Sequence, residues 1–179
     1  MKARIKRAWR CKTVAKGSLS ILSQIWKRFN TAEKGGAYVA FKKAAMWLCC
    51  QAEVVKTAKE LQVSSVPVVP FYLPRSYRGA YHPWLHCILL NARKNQVEKA
   101  TLSALKMLAR HEMRHHWQRK NYREVCEWWD AHPDAYKRQY LNPVCWPEED
   151  ARCFAAGKAA PDGPLTVPEL EALYSSGQL

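Results

Sequence analysis

Arg110-His111-Glu112-Met113-Arg114-His115-His116-Trp117-Gln118 is the stretch on which the reading of this chain turns. It contains His-Glu-x-x-His, and it sits in a helical pattern. Ala104, Leu108, His111, His115 and Gln118 are spaced four, three, four and three residues apart. On a helix, positions four apart differ by about 40° around the axis and by one turn along it. Two imidazoles so placed converge on one ion from one side, and zinc takes nitrogen ligands at about 2.0–2.1 Å in tetrahedral geometry. Glu112, between them, is turned away from direct ligation and stands where a carboxylate can take a proton from an attacking water. The histidine face continues an apolar face, so the pattern predicts a motif directed inward rather than into solvent.

A catalytic zinc site needs a third protein ligand and an open position. Glu148, 33 residues after His115, is the leading candidate. Pro147 suits the first turn of a helix, which puts Glu148 at the positive end of a helix dipole, where a carboxylate stays ionised. Ala151, one turn on, is small enough for close helix approach, and Gly157 marks the helix end. Around the three ligands His111, His115 and Glu148, the candidate supporting residues are Arg114, Gln118 and Asp150. Arg114 can pair with Asp150 or Glu149 and brace the two helices. Metal-bound histidines usually pass their other N–H to a carboxylate or carbonyl, which singles out Asp150. Tyr72, Tyr81, Tyr136, Tyr140 and His132 are all candidates for stabilising an oxyanion. His116 points about 100° away from His115, and so away from an ion held by that residue.

The two tracts, residues 110–118 and Glu148-Glu149-Asp150-Ala151-Arg152-Cys153-Phe154-Ala155 with Asn142-Pro143 ahead of it, together resemble the small gluzincin metallopeptidases. These include the minimal zincins of phages, plasmids and bacterial genomes and the ImmA/IrrE-like peptidases, whose pattern is H-E-[LM]-x-H followed by E-x-x-A-x-x-F-A. The resemblance spans roughly residues 66–156. It implies a zinc-dependent peptidase with Glu148 as third ligand and Glu112 as general base. It also implies a zincin-like α+β layout: N-terminal helices, a small twisted sheet, the active-site helix and a downstream glutamate helix. An edge strand, from residues 78–81 or 84–90, would line the substrate cleft and pair an extended peptide. The SprT-like peptidases, which act on proteins crosslinked to DNA, are a rival resemblance. They use a later histidine as third ligand, and His132 would fill that place, although it is followed by Pro133 and lacks the rest of their signature. Two non-catalytic readings stand beside these: a zincin fold kept for binding, and a basic nucleic-acid-binding protein with an accidental motif.

The rest of the chain supplies the scaffold. Residues 1–16 read as a basic arm and residues 17–62 as a helical region broken at Lys34-Gly35-Gly36. Residues 63–157 form the catalytic domain, and residues 158–179 a linker and short C-terminal helix peripheral to the chemistry. Ile21, Leu22, Ile25, Trp26 and Phe29 recur at helical spacing, as do Phe41, Ala44, Ala45 and Leu48. Val66-Pro67-Val68-Val69-Pro70-Phe71-Tyr72-Leu73 is β-branched and aromatic, and its prolines place it at a sheet edge. Residues 78–81 and 84–90 read as further strands and residues 91–96 as a polar turn. A short helix is predicted over residues 122–131, stopping at His132-Pro133-Asp134. Thr166-Val167-Pro168-Glu169 is a capping box for the last helix.

Charge is uneven: residues 1–123 carry +20 and residues 124–179 carry −6, so a polyanion would be drawn to the first part. Nucleic acid is therefore a second partner class beside a protein or peptide substrate, through the basic N-terminal segment, although no RRM, KH or zinc-finger pattern accompanies the charge. Seven cysteines, an odd number without a C-x-x-C pair, argue against a disulfide framework and for a reducing cytoplasm. No apolar run is long enough for a membrane span or a signal-peptide core, so no membrane partner is expected.

Overall fold

The computed structural model describes residues 36–179, so the basic arm and the stripe from Ile21 to Phe29 lie outside the described residues. Within them the chain is α+β, with seven helices and one three-stranded sheet. The first described helix, α1 (Gly36–Glu60), opens the described region. Its buried face of Ala45, Met46, Cys49, Cys50, Val54 and Ala58 forms one side of the main core. It ends where Gln62 adopts a left-handed φ of 56° and the Val63 N–H returns to the Ala58 carbonyl at 2.9 Å.

Strands β1 (Val68–Phe71), β2 (Gly79–His82) and β3 (Cys87–Asn91) lie in the order β1-β3-β2, with β1 parallel and β2 antiparallel to β3. The prolines do put β1 at an edge, and α1 covers the polar groups there. Gln51 accepts from the Val68 N–H at 2.7 Å and donates to the Val66 carbonyl at 3.2 Å, and the Trp47 indole donates to the Val68 carbonyl at 2.6 Å. The segment 84–90 begins as strand only at Cys87, because residues 83–86 make the β2–β3 turn, with His86 at a φ of 47°. That strand is central, so it cannot be the edge that lines a cleft.

The polar segment after Asn91 forms a short helix rather than a plain turn. In α2 (Lys94–Lys99), the Gln96 and Val97 amides bond to the Arg93 carbonyl, and Val97 is fully buried. Thr101 then caps α3 (Leu102–Asn121), its hydroxyl accepting from the Ala104 N–H at 3.1 Å. The face of α3 that enters the core is Leu105, Ala109, Glu112, Met113 and His116, against α1 and the sheet. Ala104, Leu108, His111 and His115 are only half-buried. The histidine stripe therefore runs along the flank of the core face, about one residue's rotation from the inward direction predicted for it. Gly79 lets α3 come this close to β2: a Cβ there would meet the Leu108 side chain and the Leu89 carbonyl at 3.0 Å.

Four helices complete the described residues: α4 (Arg123–Ala131), α5 (Pro133–Gln139), α6 (Trp146–Ala156) and α7 (Val167–Ser175). Helix α5 is absent from the sequence-based expectation. Pro133, read as a stop, is instead the first residue of a new helix, a position where its missing N–H has no partner to lose. Helix α6 ends as expected, at Gly157 with a φ of 68°. The Glu169 carboxylate accepts from the Thr166 N–H at 2.7 Å, as the capping box requires. Val125, Trp128, Trp129, Ala135, Cys145, Leu170 and Leu179 make a second core, which ties α7 to α4 and α5. The six cysteines of the described region are free thiols. No helix among the described residues is long and apolar enough to cross a membrane.

Candidate metal centre

Helix α3 presents His111 and His115 toward the first turn of α6, where Glu148 lies. One nitrogen of each imidazole and a carboxylate oxygen all fall within 4.8 Å of one another. The two Nε2 atoms are 3.1 Å apart; His111 Nε2 is 3.5 Å from Glu148 Oε2, and His115 Nε2 is 3.4 Å from Oε1. Ligands at about 2.05 Å from a tetrahedral ion stand about 3.3 Å from each other; the two nitrogens, and each nitrogen with the carboxylate oxygen nearer to it, are separated by about that length. Both histidines keep roughly a fifth of their side-chain surface, which leaves one side of the group open to solvent.

Glu148 is 4% exposed. Its Oε1 accepts from the Tyr136 hydroxyl on α5, while Oε2 is buried without a hydrogen-bond donor. A buried carboxylate oxygen in that condition is costly unless a cation meets it. Burial works against charge on Glu148. The neighbouring imidazoles of His111 and His115, the charge of His115 and the Tyr136 hydroxyl outweigh it and hold the carboxyl well below the usual carboxylate range. Burial also works against charge on His115, but the hydrogen bond and charge of Glu148, with Glu112 and Gln118 behind it, raise the imidazole to about 9. The Tyr136 phenol is pushed up by burial, then by the charge of Glu148 and the bond to it. The pocket thus holds an anion and draws a positive charge toward the two nitrogens.

Glu112 is buried outside this group of three. One residue on from His111, it turns toward the sheet, where its Oε2 accepts from the Tyr81 N–H at 2.7 Å. The Asn91 N–H bonds to the Arg78 carbonyl, so in the antiparallel alternation Tyr81 points its N–H away from β3, at the outer edge of β2. Of the two segments considered for a cleft edge, the one beside the His-Glu-x-x-His helix is therefore the one that begins at residue 78.

A second polar contact joins the same helices. Arg114 donates to Asp150 through Nε at 2.6 Å and Nη2 at 2.9 Å, and its guanidinium lies 3.7 Å from the Trp117 ring centroid. Gln118 donates to Asp150 Oδ2 at 2.7 Å and to the Pro147 carbonyl at 2.8 Å, and its own oxygen is 2.9 Å from His115 Nδ1. Asp150 reaches His115 through Gln118 rather than directly. Glu149 pairs with Arg152, not with Arg114.

The remaining candidates separate by position. His132 stacks on Trp128 with centroids 4.1 Å apart, bonds its Nδ1 to the Trp128 carbonyl and touches Tyr174, so it belongs to the second core and not to the ligand group. His116 turns to the sheet, where its Nδ1 is 3.0 Å from the Tyr81 hydroxyl. Its pKa is lowered by burial, then by Lys120 and His86. Tyr72 is exposed beside Lys43. Tyr140, at the end of α5, has its ring 5.7 Å from that of Tyr136, and its phenol is raised by burial and then by the charge of Glu148. Two contacts had no signal in the sequence: the Tyr136 hydroxyl on Glu148, because α5 itself was not foreseen, and the backbone amide on Glu112, because an N–H is carried by every residue but proline. Comparison with family models, curated proteins and solved structures returns no match.

Proposed function

We propose that this chain is a zinc-dependent peptidase of the gluzincin kind, with a zincin-like arrangement of sheet, motif helix and glutamate helix. The observation that carries the reading is the convergence of His111, His115 and Glu148, one donor atom of each within 4.8 Å of the others, at a carboxylate one of whose buried oxygens has no donor. Two neutral imidazoles and one carboxylate are a donor set suited to zinc, and three protein ligands leave a coordination position open. When bound, zinc supplies Lewis acidity toward a peptide carbonyl and makes water acidic enough to attack near neutral pH.

The protein's own part follows from its side chains. His111, His115 and Glu148 hold the ion, and Tyr136 holds Glu148. Glu112, fixed by the Tyr81 amide beside the motif, takes the proton of the attacking water and returns it to the leaving amine. Tyr140, whose ring lies 5.7 Å from that of Tyr136, is a candidate phenol for donating to a developing oxyanion. The outer edge of β2 is the surface along which an extended peptide would lie. The position of His132 in the aromatic core weighs against the SprT-like alternative. Of the net charge of +14, +9 falls in residues 1–35, so any nucleic-acid contact through the basic arm rests on residues outside those described.

The test is digestion of an unstructured protein and a mixed peptide library by the zinc-loaded full chain, with products read by mass spectrometry. Glu112→Gln should keep zinc and lose cleavage, and His111→Ala should lose both. Cleavage that survives in Glu112→Gln, or zinc retention that is unchanged in Glu148→Ala, contradicts the reading.

A further inference from the structure

We infer that Gln118 is a positioning residue that sets the ring tautomer of His115, leaving Nε2 as the bare nitrogen turned toward His111 and Glu148. This inference rests on the metal-site reading above and adds to it the group that selects the ligating atom. Hydrogen bookkeeping carries the argument. Gln118 is fully buried, and its amide has two N–H donors on one side and a carbonyl oxygen on the other. On one side of it lie the Pro147 carbonyl at 2.8 Å and Asp150 Oδ2 at 2.7 Å. A carbonyl can only accept, and the Asp150 carboxylate is already accepting twice from Arg114. The amide nitrogen must therefore face this side, and the hydrogen-bond partners alone settle the orientation of the amide.

The amide oxygen then faces His115 Nδ1 at 2.9 Å. That oxygen can only accept, so Nδ1 carries the hydrogen. A neutral imidazole has one N–H, which leaves the lone pair on Nε2, the atom 3.1 Å from His111 Nε2 and 3.4 Å from Glu148 Oε1. The orientation is imposed from α6, by a backbone carbonyl and by a carboxylate paired with Arg114, and so does not depend on an ion being bound. It also explains why an amide serves here. A glutamate would turn an oxygen toward Pro147 and Asp150, three acceptors together in a buried space. A methionine would fill the volume and leave the ring free to take either tautomer.

The test uses the full chain labelled with 15N, and long-range 1H–15N correlation spectra of the histidine rings. In wild type, His115 should show its hydrogen on Nδ1, protected from exchange, both with zinc bound and in zinc-free protein with the ring neutral. Gln118→Met should lose that protection and bind zinc about 10–100-fold more weakly, and Gln118→Glu should bind it more weakly still. A wild-type His115 with its hydrogen on Nε2 overturns the inference without need of any variant, and so does Gln118→Met with unchanged zinc affinity. A wild type that shows the Nδ1–H form but binds no zinc would sink the metal-site reading while upholding the role of Gln118.

Discussion

Helices α3 and α6 meet at two neighbouring polar contacts, joined through the Gln118–His115 bond, and they differ in one respect. In the first, Arg114, Asp150, Gln118 and the Pro147 carbonyl satisfy one another: the donors named there find acceptors, and the carboxylate of Asp150 is filled from two sides. In the second, His111, His115 and Glu148 come together with a buried carboxylate oxygen left over. Buried polar groups are paired as a rule, and the exceptions need a reason. The closed contact is a clamp that holds the helices in register. The open one has the composition and spacing of a site that a divalent ion completes. The first makes the second possible, since the helix pair is fixed without help from the ligands.

The largest effect should come from breaking the clamp. Asp150→Ala leaves the Arg114 guanidinium, only 12% exposed, and the Gln118 amide without their acceptor. The loss should be about 3–5 kcal/mol of unfolding free energy, measured by denaturant titration of the zinc-free protein. A loss under about 1 kcal/mol, the size typical of an exposed pair, would mean that the clamp is ornamental.

Tyr136→Phe acts on the open contact and should do less. It removes the one hydroxyl that meets Glu148, at a cost of about 1.5–3 kcal/mol, the range for hydrogen bonds to charged groups. It should also weaken zinc binding while Tyr140→Phe does not. Equal effects of the two phenols would show that Tyr136 is not what holds Glu148.

The third difference is in pH response. In the zinc-free protein His115 is raised from 6.5 to about 9, so its contribution to stability is full below 6.5 and disappears as pH rises through 9. Glu148 is lowered from 4.5, so its contribution is present above 4.5 and is lost as pH falls toward its depressed value. Between 6.5 and 9 zinc must displace a proton from His115. Affinity should therefore rise about tenfold per pH unit and level off near 9, with about one proton released per ion at pH 7–8. Calorimetric zinc titrations at pH 7, 8 and 9, in buffers of different ionisation enthalpy, check both quantities. Affinity independent of pH across that window would contradict the raised His115.

Much of this arrangement was legible in the residues. His111, Glu112 and His115 on one helix, Pro147 and Gly157 bounding another, and the proline-marked edge strand follow from local rules of period and punctuation. What was not legible depends on tertiary contact. The same four-residue spacing that lines up the histidines also fits a flank of the buried face, and only the packing of Leu105, Ala109 and Met113 decides the rotation. Pro133 starts a helix as readily as it ends one, and that ambiguity hid α5 and with it Tyr136. Trp84 and Leu85 are apolar enough to read as the start of the strand over 84–90, yet a hairpin needs a turn, which leaves Trp84 88% exposed. Leu170 and Leu179, in the segment read as a linker and short helix peripheral to the chemistry, are buried in one cluster with Trp128 and Trp129, a long-range contact that no local pattern signals.

The central claim is that the open contact binds a metal ion, and the most direct test is elemental analysis of the purified full chain beside His111→Ala, Glu148→Ala and His132→Ala, after zinc loading and dialysis. The account predicts about one zinc per chain in wild type and His132→Ala, with loss in the other two. No stoichiometric metal in wild type, or loss in His132→Ala with retention in Glu148→Ala, would contradict it.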